Sequence, residues 1–232
     1  MGVDSAIYPV SVLVADVRAG LREHADQSYV QGTVAARNPG KPVLGVRIPL
    51  LRGSVSAGLK RARTGRVSVD PTVVLAAADV LWHGEDHEDE LAACMMLRLT
   101  DLTMPAEMIH RWAALLDNWL SVDELGGVVG LSLVAAPMLL GKLAPLASSA
   151  SPWQRRLYIV SLIRPIRLGL TPVDVPGLVA LLKDTEKPVR KASVWLINEA
   201  LKARPEAAAE FREILPGPEP KPLIRILDRV SM

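Results

Sequence analysis

The residues with the clearest chemical potential lie in Asn118-Trp119-Leu120-Ser121-Val122-Asp123. An indole ring and a carboxylate stand four residues apart, and side chains at that spacing share one face of a helix. Ser121 reads as the N-cap, with Glu124 three residues later, so Asp123 is expected in the first turn. A carboxylate there is favoured by the macrodipole and is expected to stay ionised. An ionised carboxylate beside an aromatic face can stabilise a developing positive charge and orient a water molecule.

Two further tryptophans sit in basic segments. Trp153 lies in Ser151-Pro152-Trp153-Gln154-Arg155-Arg156, and Trp195 closes Val189-Arg190-Lys191-Ala192-Ser193-Val194-Trp195. A single Trp is more often a packing residue than a ligand. Three such segments in a chain with five Trp and one Phe point instead to a shared surface. The other candidates are weaker. His83-Gly84-Glu85-Asp86-His87-Glu88 lacks the order of a zinc-protease motif, and Gly84 breaks a helix between the two rings, so it reads as a solvated acidic helix start. There is no CxxC pair, glycine-rich phosphate loop or GxSxG elbow. No metal or organic cofactor is expected. The lone Cys94 lies in an apolar run and reads as core; it excludes an intramolecular disulfide and fits a reducing cytoplasm.

The elements that position these residues read as helix after helix. Ala, Leu and Val dominate the 232 residues, which suits close-packed helices, and period-2 alternation is almost absent. Helices are expected from Pro9 to His24, from Tyr29 to Ala36, from Pro49, from Asp70-Pro71 to Trp82, from Asp86 to Leu99 and from Thr103 to Leu116. Others follow from Trp119, Pro152, Pro172, Pro188, Pro205 and Pro222, each of these prolines standing near a first helical position. Helix pairs recur every 35–45 residues or so, the period of HEAT-type arrays. The expected fold is therefore all-α, an α-α superhelix of HEAT-like repeats forming a concave solenoid, with residues 1–232 as one domain. The uncharged run Leu125 to Gly141 holds Gly126, Gly127, Gly130 and Pro137 and reads as buried helix, not as a membrane span; the Gly126–Gly130 spacing permits close helix approach. The opening residues lack a basic region and a cleavage site, so no signal peptide is expected. Residues 1–140 carry 12 Lys or Arg against 16 Asp or Glu, and residues 141–232 carry 15 against 9. The basic second part fits a polyanionic partner, or simply a solvated surface.

Taken together, these segments resemble the AlkD-like family of DNA glycosylases, HEAT-like repeat proteins that remove alkylated purines. Gly45-Val46-Arg47-Ile48-Pro49-Leu50-Leu51-Arg52 is similar to the family's Gly-Val-Arg-x-Pro-x-x-Arg segment. Leu81-Trp82 followed by His87-Glu88 and Ala92-Ala93 resembles its Leu-Trp then His-Glu helix. Trp119 to Asp123 matches its Trp-x-x-Val-Asp segment, Trp153 to Arg156 its Trp-x-x-Arg segment, and Lys191 to Trp195, then Arg204-Pro205-Glu206, its ending.

The resemblance implies roles for matching positions. Asp123 is similar to the catalytic carboxylate. Trp119 and Trp195 resemble the tryptophans lining the cleft, and Arg156 resembles an arginine contacting the DNA backbone. Arg155, Trp153, Lys191, Arg190 and Arg47 are further expected DNA contacts, and Tyr29 matches a tyrosine near the lesion. Asn118 and Leu120 depart from relatives that carry aromatic or acidic groups there. The implied chemistry is simple. Alkylation at N7 of guanine or N3 of adenine makes the base cationic and a good leaving group, so no general acid is needed. A carboxylate then has to stabilise an oxocarbenium-like sugar and position water. The resemblance also implies a lesion held through the backbone instead of an extruded base. The expected partner is duplex DNA carrying alkylated purines, with no membrane, and the expected state is a monomer in the cytoplasm associated with the nucleoid. The alternative is a non-catalytic HEAT-like repeat module binding DNA or protein through the same fold.

Overall fold

Proline and short polar residues decide where the helices start. In the computed structural model, which describes residues 8–37, 39–63, 69–218 and 220–229, Asp70 caps one helix by accepting the Thr72 amide at 2.7 Å. Pro49, Pro71, Pro152, Pro188 and Pro222 each stand at the first or second position of a helix, where a missing N–H costs nothing. Thirteen α-helices and two 3-10 turns, with no strand, make up the regular structure of the described residues. The all-α class expected from the sequence is the class observed. The opening residues read above against a signal peptide, 1–7, lie outside the described residues.

The chain divides into two compact units, Met1–Leu102 and Thr103–Met232. The first holds α1 (Val10–Glu23), α2 (Gln27–Arg37), α3 (Ile48–Ala62), α4 (Pro71–Trp82) and α5 (His87–Thr100). Leu13, Val17 and Leu21 form the buried stripe of α1, which packs on α3 and α4, and α4 packs in turn on α5. Cys94 is buried in this core.

The second unit holds α6 (Ala106–Ala113), α7 (Trp119–Ala135), α8 (Leu139–Leu143), α9 (Pro152–Arg167), α10 (Leu178–Leu182), α11 (Lys187–Ala203), α12 (Ala207–Ile214) and α13 (Lys221–Asp228). Its frame is α7 packed on α9 and α9 packed on α11. Contacts pair 123 with 156, 156 with 188 and 167 with 199, so the three helices run parallel and in step. They start at residues 119, 152 and 187, close to the expected repeat. The shorter helices between them return the chain, as a helical-repeat architecture requires.

Several local expectations are corrected. Ser121 is not the N-cap of α7. Asn118 is: its Oδ1 accepts the amides of Leu120 and Ser121 at 3.1 and 3.0 Å. The helix begins at Trp119 and has no acidic residue in its first turn, so Asp123 lies beyond the reach of the cap. Pro172 opens only a three-residue 3-10 turn, because Pro176 removes a donor and Gly177 takes φ +74°. α6 ends at Ala113 instead of near Leu116. No helix among the described residues is long and apolar enough to cross a membrane.

Candidate active site

The packing of α7 on α9 sets the site. Asp123, Gly126 and Gly130 follow one another along a single face of α7. A Cβ on Gly126 would sit 2.5 Å from Val160 Cγ1, and one on Gly130 would sit 2.9 Å from the Ser161 carbonyl oxygen. Only glycine lets α9 come this near, and the approach brings Arg156 to Asp123. The Arg156 Nε donates to Asp123 Oδ1 at 3.0 Å and Nη2 donates to Oδ2 at 2.9 Å, a bidentate fork. The remaining Nη1 donates to the Pro188 carbonyl at 2.9 Å, which ties the fork to the first turn of α11.

The two partners differ in access. The Arg156 side chain is 5% exposed and the Asp123 side chain 30%. The arginine is thus sealed in, while the carboxylate keeps an open edge. Burial pushes the Asp123 carboxyl up from its ordinary value, the Arg156 guanidinium pulls it down, and Glu124 adds a smaller upward push. Burial also lowers the Arg156 guanidinium, and Asp123 opposes that shift. The expectation of a macrodipole-stabilised carboxylate therefore gives way to one held by a single cation against desolvation.

Trp119 forms the wall beside this pair. The Arg156 Cζ lies 4.5 Å from its ring centroid and the Lys191 Nζ lies 5.1 Å from it. The Trp153 ring meets it edge-on, with centroids 5.4 Å apart at 89°. Trp195 stands one turn beyond Lys191 on the same side of α11 and is 38% exposed, a large aromatic surface open to solvent. So Trp119, Asp123, Trp153, Arg156 and Lys191 form one cluster at the matching ends of three parallel helices, with Trp195 on the neighbouring turn.

Other expected site residues fall elsewhere. Arg155 is engaged in the scaffold: Nε donates to Asp184 Oδ2 at 2.7 Å and Nη1 to the Ser149 carbonyl at 2.7 Å. Arg190 is exposed on the first turns of α11. Tyr29 and Arg47 belong to the first unit, where the Arg47 Cζ lies 4.9 Å from the Tyr29 ring centroid. The placement of Arg47 has a physical cause that sequence reasoning missed. Gly45 takes φ +83°, and any Cβ there would overlap the Asp26 carbonyl. Glu88, 2% exposed, accepts the amides of Leu44, Gly45 and Val46 at 2.9, 2.8 and 3.1 Å. The carboxylate fixes the loop that carries Arg47 into α3. His83 is exposed and His87 buried, and no group of three His, Cys, Asp or Glu among the described residues could hold a metal ion.

The cluster can stabilise positive charge at the open edge of Asp123, between a carboxylate and aromatic faces. A comparison with curated proteins finds no match. The family model described as "DNA alkylation repair enzyme" matches residues 17–214, which spans both units and most of the chain. The chain therefore belongs to the DNA alkylation repair enzyme family.

Proposed function

We propose that the protein is a monofunctional DNA glycosylase that hydrolyses the N-glycosidic bond of cationic N3- or N7-alkylated purines in duplex DNA. The observation that carries this reading is the open edge of Asp123 beside Trp119, with its other side held by the Arg156 fork. A base already cationic leaves without a proton donor. The sugar left behind carries positive charge, which the free edge of Asp123 faces and stabilises while directing water to the anomeric carbon. Trp119 and Trp195 line the approach, and their ring quadrupoles favour a cationic sugar. Arg156 orients Asp123 by donating to both of its oxygens. Lys191 and Arg190 hold the strand by its phosphates, which fixes register without reading sequence. Trp153 acts through the edge contact that sets the Trp119 ring. Arg47 and Tyr29 are proposed as contacts to the duplex from the first unit. The mechanism uses no metal or organic cofactor. The working form is a monomer acting on nucleoid DNA in the cytoplasm.

The products test this reaction class. A duplex with one N7-methylguanine should yield free 7-methylguanine and an unbroken strand bearing an abasic site. A nicked strand, or guanine restored in place with the methyl group on the protein, would refute a monofunctional glycosylase. One observation favours a second reading. Arg156 already neutralises Asp123, as in a purely structural ion pair, and a non-catalytic DNA-binding module would then show salt-dependent binding without base release. Bulky cationic purine adducts are the second substrate class for the same assay.

A further inference from the structure

Two cations share the Trp119 ring, and they are held differently. Arg156 is buried and makes three hydrogen bonds, to both oxygens of Asp123 and to the Pro188 carbonyl. It has no freedom to leave. Lys191 is exposed and makes no hydrogen bond or ion pair with a described residue; its ammonium lies over the ring itself. A Lys ammonium on a four-carbon stem can move, where a pinned guanidinium cannot.

Lys191 also lines a groove of about 610 Å³ beside the site, between α11 and α13. Lys187 and Arg190 line it with Lys191, and Pro222 and Leu223 form part of its apolar wall. Neither Lys187 nor Arg190 has an ion pair among the described residues. Asp184 is the acid lining the groove, and it is already satisfied: Oδ2 accepts from Arg155 Nε at 2.7 Å and Oδ1 accepts the Glu186 amide at 2.8 Å. Three positive side chains within five residues, two of them one turn apart, repel one another. The groove thus holds cationic charge that no described acid balances, and it shares Lys191 with the candidate site.

We propose that this groove binds a phosphodiester of the DNA strand, and that Lys191 is shared between the two sites. In the free protein its ammonium rests on Trp119. When the strand enters, the phosphate draws Lys191 into the groove beside Lys187 and Arg190, because a charge-assisted hydrogen bond to phosphate outweighs an exposed ammonium–ring contact. The ring face left open is the one a cationic sugar then meets. Lys191 is therefore a positioning residue: it keeps the aromatic face occupied without DNA and vacates it on binding. The vacating step rests on the glycosylase reading; phosphate binding in the groove does not.

The test uses full-length protein and two measurements that separate these claims. First, affinity for an undamaged duplex is followed against salt for wild type, Lys187→Met and Lys191→Met, substitutions that keep the stem and touch no core. Each should lower the slope of log affinity against log salt by about 0.9, the loss of one phosphate contact. Unchanged slopes in both variants would overturn the groove assignment. Second, affinities are compared for duplexes carrying a cationic pyrrolidine or a neutral tetrahydrofuran in place of one deoxyribose. Wild type should prefer pyrrolidine, and Lys191→Met should show the same preference, because the lysine has already left the ring. A preference that rises severalfold in Lys191→Met, with an unchanged salt slope, would mean that Lys191 stays on Trp119 and would overturn the proposal. No pyrrolidine preference in wild type would instead refute the glycosylase reading and the vacating step with it, while the salt slopes still decide the groove.

Discussion

Glu88 in the first unit and Asp123 in the second are both helix-borne carboxylates, and their surroundings set them to different work. Glu88 is 2% exposed and accepts three backbone amides from one loop. Every donor it meets is fixed main chain and the side chain is sealed from solvent, so no ligand reaches the carboxylate and its effect is to hold Leu44 to Val46 in place. Asp123 has a 30% exposed side chain and is held from one side by an arginine. The Trp119 ring, four residues earlier on the same helix, lies against that arginine. The difference teaches that burial of an acid is not by itself a sign of chemistry: what matters is whether its partners leave a side of it open to solvent.

That contrast can be broken at several points. The largest expected effect on the fold is at Glu88. Glu88→Gln replaces one acceptor by a donor facing a buried amide, which should cost about 1.5–3 kcal/mol. Denaturant unfolding should show that loss, while base release per folded molecule stays near wild type. A large loss of release at full stability would erase the distinction between the two acids. Gly126→Ala comes next. The new methyl must push α9 away through Val160, at a cost of about 1–3 kcal/mol. Because the same displacement pulls Arg156 from Asp123, release should fall by more than the unfolded fraction explains. Activity that simply tracks stability would separate the glycines from the site.

The smallest effect is in pH. Asp16 of the first unit is held below its ordinary value, chiefly by its hydrogen bond from Arg61, whereas burial raises Asp123. The signs are opposite. Asp16 contributes stability that is present above its unfolded value and is lost as pH falls through its lowered folded value. Asp123 binds its proton more tightly in the fold, so its contribution is lost as pH rises through the raised value, and ionising it costs stability. Acidification should therefore switch off base release, which needs the ionised Asp123, before Asp16 releases Arg61. A rate profile and an unfolding curve over the same pH range would check this; unfolding that precedes the loss of rate would contradict it.

Much of the fold was legible in the sequence because proline marks helix starts by a local rule that packing rarely overrides. The rule failed at Pro172, where Pro176 and the left-handed Gly177 stop the turn before it becomes a helix. The cap of α7 was misread because Asn118 and Ser121 are both good caps; the extended backbone of Asn118 decides between them. Trp119 and Asp123 were visible through their spacing. Their partners were not. The pairing of Asp123 with Arg156 spans 33 residues and depends on Gly126 and Gly130 meeting Val160 and Ser161, a fit between two helices that neither helix states alone. The same holds for Glu88, whose amide partners lie 42–44 residues earlier in the chain.

The central claim is that the open carboxylate edge of Asp123 drives cleavage of the glycosidic bond. The direct measurement is the single-turnover rate of 7-methylguanine release from a duplex with one N7-methylguanine, for wild type and Asp123→Asn, with folding and duplex affinity measured alongside. Asn keeps the shape and removes the charge. The account predicts release by wild type and a fall of about 10²–10³-fold in the variant, the size expected when a preorganised stabilising group is lost, with duplex affinity nearly unchanged. Release by folded Asp123→Asn at the wild-type rate would contradict it.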